Sequence, residues 1–494
     1  MYYSQDSQYH IERIKEFDSS IKNSQFPPRL APNILSHIGY PLFVVNYQLP
    51  YYLAEIPMYI TKDAQFAFKS VLALTYILSS LLIFLFFRTF SSNIASLTGA
   101  IIFTYLPYRF ANLYTRGSLG ESVAICFIPA ILYSLNLIRN KSKFAIPALS
   151  ISVFGLMTSH SIVFLIFTPF FIFYPLLILR FTIKNSITAI FASTLGILFS
   201  SFQLIPSLFD KNYMVFDNVL TSSYRGHFLS LFQLFRLPVG NTQIGTSLQI
   251  GITSTFILVI SILLFSRKRD LKLLFFLSFF FFSIFIISSY SRPLWNNIFL
   301  LRYILYPWRF LSLALISISF ISVIIIENVR YKKILAIIII SIAILTSRHY
   351  FLKPSQTEPT LINENLTTEN EYNTVWSNNQ TFKNRPLVTS QEKANISITQ
   401  SKPFYLLFNI QTENDNTIIL RKMYFPGWQL KINNKLEPIN IKDGLISLDL
   451  KPGNWQIQTY FEETPLRKTS NLLTVFSFFV ILAFLLKELR LNKG

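Results

Sequence analysis

A single cysteine in 494 residues excludes an intrachain disulfide and any zinc site built on thiolates, and that residue, Cys126, lies inside an apolar run. No Gly-x-x-x-x-Gly-Lys-Ser/Thr motif occurs, which argues against an ATP-driven pump. Acids are scarce: 24 Asp and Glu stand against 44 Lys and Arg, for a formal net charge of +20. This imbalance does not mark a nucleic-acid surface. Most of the cations sit in short loops beside apolar runs, and the one sizeable polar region, residues 348–469, mixes both signs. Paired acids are missing from the depths of the runs, so there is no intramembrane proton path to support transport. The five histidines match no zinc spacing.

Long apolar runs are what the chain has instead. Val71 to Phe87, Ile250 to Phe265, Leu273 to Ser288 and Leu311 to Ile326 can each cross most of a hydrocarbon core at ~1.5 Å rise per residue. Eleven spans are expected, near 68–87, 93–107, 122–138, 144–157, 161–180, 186–206, 250–266, 272–289, 303–326, 334–347 and 471–487. Every second connection is then basic, from Arg88 and Arg139 to Arg330 and the tail after Lys487. The positive-inside rule makes that side cytoplasmic. Loops 1–66 and 207–249 and the region 348–469 fall on the opposite, extracytoplasmic side of a bacterial cytoplasmic membrane. Met1 to His10 supplies no signal peptide or span to export the first loop, so a helix encoded upstream is expected.

Four blocks follow. Residues 1–66 form an extracytoplasmic first loop whose prolines suggest short interfacial elements, with Tyr40, Tyr47, Tyr51, Tyr52 and Tyr59 suited to headgroup level. Residues 67–347 form the helical bundle. Residues 348–469 alternate with period two over 394–399, 404–410, 417–423, 428–432, 445–450 and 455–461. Asn433-Asn434, Asp443-Gly444 and Pro452-Gly453 punctuate these runs as turns, so a small antiparallel sandwich is expected, with Trp428 in its core. Residues 470–494 supply a final span and a basic tail.

The stretches Asp6 to His10 with Arg13 and Glu16, Pro27 to Pro32, Gly39 to Phe43 and Leu49 to Leu53 resemble the first loop of a known group of polytopic bacterial proteins. These are the 6-pyruvoyl-tetrahydropterin synthase-related membrane proteins, similar in turn to lipid-sugar-dependent GT-C glycosyltransferases and YfhO-type proteins. Tyr108 to Glu121, Thr158 to His160 and Tyr306 to Phe310 resemble further blocks in the same order. Tyr424 to Trp428 and Thr464 to Arg467 resemble the carboxy-terminal domain of YfhO-type proteins. The resemblance implies a GT-C-like bundle that transfers sugar from a polyprenyl-phosphate carrier to an envelope glycan, lipid or protein. It does not imply a pterin-synthase activity, for which no soluble catalytic domain or histidine cluster is present.

Such a transfer needs a base near the acceptor and cations for the departing phosphate. The resemblance places Asp6 as the base, with Glu121 orienting donor or acceptor. Arg109, Arg116 and Arg309 oppose the positive-inside bias and are the cationic candidates, with Arg309 the preferred phosphate ligand because an arginine fork matches phosphate oxygens; His10, Arg13 and His160 are expected beside them against substrate. Each has a plainer reading beside it. Asp6 reads as a solvated acid, Glu121 as a helix N-terminal acid, Arg309 as a snorkelling cation beside Trp308, and His160 as an interfacial histidine bonded to backbone. A divalent cation, if the chemistry uses one, is expected on Asp6 with Glu121 and substrate phosphate. A lipid-linked glycan flippase and a non-enzymatic envelope assembly factor remain the alternatives.

Overall fold

The structure is a computed structural model that describes residues 4–216, 223–235, 248–347 and 370–490. In chain order the principal helices are α1 (Ser7–Lys22), α2 (Leu49–Thr61), α3 (Ala64–Arg88), α4 (Asn93–Tyr105), α5 (Leu119–Arg139), α6 (Ala145–Phe173), α7 (Ile183–Phe199), α8 (Ser201–Phe209), α9 (Ile252–Lys268), α10 (Leu271–Ile287), α11 (Leu311–Asn328), α12 (Lys332–Ser347) and α13 (Pro465–Arg490). Several begin at side chains that satisfy orphan amides: Asp63 accepts from the Gln65 and Phe66 N–H groups, Ser92 from Ala95, Thr182 from Asn185 and Asp270 from Lys272. Helix α11 is apolar all round and is accordingly enclosed, every residue from Leu311 to Ile326 being buried. Its serines 312, 317, 319 and 322 return their hydroxyls to carbonyls three or four residues back, so no polar group is left over.

The eleven expected spans are matched only in part by single helices among the described residues. Ala64–Arg88, Leu119–Arg139, Ala145–Ile178, Pro307–Asn328 and Pro465–Leu489 are each long and apolar enough to cross a membrane. Two sharply bent pairs, Ile183–Phe199 with Ser201–Tyr213 at 71° and Leu271–Ile287 with Ser289–Asn297 at 80°, raise the number to seven among the described residues. Helix α4, with 13 residues, covers only ~20 Å. The runs expected at 144–157 and 161–180 lie on either side of His160, whose extended backbone (φ −167°, ψ 92°) breaks the 34-residue stretch Ala145–Ile178 into two helices. Past that break the chain turns back. Tyr174 packs on Phe86, near the carboxy-terminal end of α3, and lies within electrostatic reach of Arg139, the last residue of α5. His160 therefore stands at the apex of a hairpin.

The carboxy-terminal region is built from two antiparallel sheets. Strands β1 (Val388–Ser390), β4 (Asn416–Met423), β8 (Leu445–Leu450) and β7 (Asn440–Lys442) form one, in that order. Strands β2 (Ala394–Lys402), β3 (Tyr405–Thr412), β9 (Gly453–Phe461), β5 (Trp428–Ile432) and β6 (Lys435–Glu437) form the other. Their inner faces share a core that includes Phe408, Leu430 and Ile457 from one sheet with Ile418, Leu420 and Leu448 from the other. The turns fall at the expected residues: Asn433 and Asn434 both have positive φ (48° and 65°), as do Asp443 and Gly444 (53° and 74°).

This core does not end at the sheets. Phe17, Tyr40, Phe43 and Tyr51 of the first loop belong to the same cluster, and Tyr40 donates its hydroxyl to Asn373 Oδ1 at 3.0 Å. Headgroup placement of the tyrosines is thus corrected for Tyr40 and Tyr51, which are fully buried by protein, while Tyr59 remains 75% exposed. A buried ionic knot pins the junction. Arg467 Nε meets Asp210 Oδ2 at 2.7 Å, and Arg29 Nε meets Glu463 Oε1 at 2.8 Å while also reaching Phe202 O and Asn471 Oδ1.

Candidate functional site

Two glycines let three segments meet. Gln5 and Asp6 run alongside the turn after residue 110, their N–H groups donating to Thr115 O (3.0 Å) and Arg116 O (2.7 Å). Gly117 has φ 66°, and a Cβ on it would lie 1.9 Å from Ser4 Oγ. A Cβ on Gly120 would lie 2.3 Å from the Tyr47 ring. Gly120→Ala is therefore expected to cost about 1–3 kcal/mol through overpacking, read as a lower thermal midpoint in detergent. An unchanged midpoint would mean that Tyr47 is not held where the structure has it.

These contacts frame a cavity of about 650 Å³ between the first loop, the hairpin apex at His160, the α7–α8 bend and the segment before α11. Arg13, Arg116, Lys211 and Arg309 line it, with the carboxylates of Asp6 and Glu371. Met157, Ile162, Leu165, Leu204, Leu208 and Leu305 make much of the remaining wall apolar. The shape suits an amphipathic ligand that combines an anionic group with hydrocarbon.

Arg116 is the most constrained cation. Residues 111–116 form a π-helical turn, and Arg116 Nη1 donates to Glu121 Oε2 (2.8 Å) and Asn112 Oδ1 (2.5 Å). Its guanidinium lies 4.3 Å from the Trp308 ring centroid, and Nη2 is 4.0 Å from Asp6 Oδ2. Arg309 approaches the same indole at 5.9 Å and Tyr306 at 4.9 Å. Its Nη1 donates to Ile304 O (2.8 Å), while its buried Nε has no protein partner. Arg13 Nη2 and His160 Nδ1 are likewise buried and unpartnered. Buried polar atoms left open in this way each cost free energy unless a ligand or water satisfies them.

Of the residues singled out in the sequence, Asp6, His10, Arg13, Arg116, His160 and Arg309 all line this cavity. Glu121 does not. It is wholly buried beneath, where it accepts from Tyr108 Oη, Asn112 Nδ2 (3.0 Å) and Arg116, so it positions Arg116 instead of facing substrate. Arg109 points elsewhere, donating to Ser79 Oγ (2.6 Å) between the rings of Tyr76 and Phe103. A cation shared by Asp6 and Glu121 does not fit, because the Arg116 guanidinium contacts Glu121 on one side and approaches Asp6 on the other. Among the described residues no three His, Cys, Asp or Glu side chains group as metal ligands. His37 and His227 are scattered, against Asn33 and Tyr306, and His349 lies outside the described residues.

His10 is committed to the scaffold. The Leu119 N–H donates to its Nε2 (3.4 Å), which leaves the proton on Nδ1 to donate to Tyr51 Oη (3.1 Å). Burial, then the charges of Arg13 and Arg116 and the neighbouring His160, hold it well below the usual histidine range. The folded chain thus keeps His10 neutral while the unfolded chain protonates it below pH ~6.5, so stability is present above that pH and falls as acid is added. We expect a loss of up to about 1.4 kcal/mol per pH unit below ~6.5, and a shallower slope in His10→Gln. Equal slopes in thermal melts of the two proteins would refute this assignment.

Lys211, Gln203, Glu371 and Tyr372 also line the cavity and were not among the residues expected there. Lys211, whose Nζ donates to Tyr303 Oη (2.8 Å), is a cation in the loop 207–249, expected on the side poor in cations. That signal had singled out Arg109, Arg116 and Arg309. Glu371 and Tyr372 follow no motif.

A model of the 6-pyruvoyl-tetrahydropterin synthase related domain, described as a membrane protein, matches residues 45–352. An uncharacterized protein of Lactococcus lactis subsp. cremoris strain MG1363 is 24% identical over 243 residues, 46% of this chain. The match spans 40% of that relative's length. No solved structure matches.

Proposed function

We propose that this chain, which belongs to the 6-pyruvoyl-tetrahydropterin synthase related family of membrane proteins, transfers a sugar from a polyprenyl-phosphate carrier to an envelope acceptor. The loops rich in Lys and Arg face the cytoplasm in this reading, and the cavity opens on the extracytoplasmic side. The observation that carries it is the pairing of Arg116 and Arg309 on one indole, with buried guanidinium N–H still open, inside a cavity that is otherwise half hydrocarbon. Two like charges this close favour an incoming phosphate, and the apolar wall receives the first isoprenes of its lipid.

Asp6 takes the proton of the acceptor hydroxyl. The acceptor oxygen forms its bond to the anomeric carbon as the bond from that carbon to the phosphate oxygen breaks, and both electrons leave with the lipid phosphate. Arg309 and Arg116 meet the charge that develops there, with Glu121 holding Arg116 in place. The test is turnover of a panel of polyprenyl-phosphate sugars in proteoliposomes, read by mass spectrometry. Asp6→Asn is expected to lower turnover by roughly 10²–10⁴-fold, the usual contribution of a general base. Consumption of one donor by both proteins at the same rate would remove Asp6 from the reaction. No turnover of any donor would favour a flippase or an assembly factor.

A further inference from the structure

A second cationic hollow lies beside the cavity, on residues the proposed reaction does not use. Arg225, Arg292 and Arg302 converge with Tyr224 and Asn296 on a space of about 290 Å³. None of the three arginines makes an ion pair among the described residues. The frame beneath them is fixed. Tyr224 is buried against Trp295 at 5.6 Å and donates its hydroxyl to Asn296 Oδ1 (2.8 Å). Arg302 is tied to the backbone carbonyls of Trp295 and Asn296, and Arg292 lies 5.5 Å from the Phe228 ring centroid.

Three guanidinium groups gathered with no carboxylate paired to them among the described residues repel one another unless an anion joins them, and their forks match phosphate oxygens. The surrounding segments show at what depth this happens. Phe232, Tyr290 and Phe299 are 78%, 75% and 60% exposed on the same short stretches that carry the arginines. Large rings turned outward around a cationic hollow suit the boundary where hydrocarbon gives way to headgroups. Leu300 and Tyr303 of the same stretch line the larger cavity, so the two sites are neighbours with separate cations.

We propose that this hollow binds the phosphate of an anionic lipid headgroup. The proposal is independent of the transfer reaction, since none of its arginines lines the cavity. Native mass spectrometry of the full chain, in detergent doped with phosphatidylglycerol or phosphatidylcholine, tests it. Preferential retention of phosphatidylglycerol is expected, with a loss on the order of thirtyfold in Arg225→Gln/Arg292→Gln, from roughly fivefold for each basic side chain near an anionic surface. Both side chains are exposed, so the melting temperature of the double variant should match the parent. Arg225→Lys/Arg292→Lys, which keeps the charge and loses the fork, should fall between the two. Equal retention by the parent and the glutamine variant would overturn the proposal. Displacement of the lipid by inorganic phosphate at equal concentration would overturn its assignment to a headgroup and leave a free-anion site.

Discussion

Arg309→Gln is expected to lower kcat by on the order of 10²–10³, the effect of deleting one charged donor from a developing oxyanion, while leaving stability within about 1 kcal/mol. The second half of this expectation is the informative one. Removing a buried charge usually destabilises by stranding its partner, but Arg309 has no ion-pair partner among the described residues and sits near a like charge, Arg116, on the same tryptophan. The stability it does contribute is one hydrogen bond to Ile304 O and contact with two rings. Arg309→Lys should not restore the rate, because an ammonium cannot span two phosphate oxygens. A matched fall in rate and melting temperature would instead make Arg309 a structural residue.

Arg467→Ala is expected to do the opposite: to cost about 3–5 kcal/mol of stability and to loosen the carboxy-terminal sheets from the bundle. Arg467 is fully buried, paired with Asp210 and packed between Phe425 and Phe461, with ring centroids at 5.1 and 5.6 Å. Its loss strands a buried carboxylate. Replacing both members with apolar side chains, Arg467→Met with Asp210→Leu, should recover most of the loss, because neither charge is then left without its partner. Thermal melts and limited proteolysis of the two variants would distinguish this from a simple packing defect, in which the double variant would be worse than the single.

Strand β3 was legible from alternation because every second residue is buried, and the hairpins from their turn residues, since Asn433-Asn434 and Asp443-Gly444 adopt the left-handed backbone a tight hairpin needs; β2, with no buried residue, and β8, with five of six buried, carry no such period. The three-residue strands β1, β6 and β7 carry too few positions for a period to show. Burial of Tyr40 and Tyr51 was hidden for a different reason. That of Tyr40 comes from Tyr372 and Asn373, more than 300 residues later in the chain, and that of Tyr51 from His10, Phe17 and Phe43 of its own loop; an aromatic suited to a lipid interface is equally suited to a protein one. Arg109 and Arg116 were indistinguishable as cations in one loop. The π-helical turn over 111–116 and the left-handed Gly117 set the phase that sends Arg116 to the cavity and leaves Arg109 between α3 and α4. The cations of the site were therefore legible by type, while their roles depended on backbone geometry that composition does not encode.

The claim that a lipid phosphate enters the large cavity is tested most directly by binding, without turnover. Full-length protein in nanodiscs would be titrated with a polyprenyl phosphate and with the corresponding polyprenol, for the parent and for Arg309→Gln. Saturable binding of the phosphate, at least tenfold weaker binding of the alcohol and loss of that difference in the variant are expected, as for a charge-assisted phosphate contact worth about 1.5–3 kcal/mol. Equal affinity for phosphate and alcohol in the parent would contradict a phosphate site in this cavity.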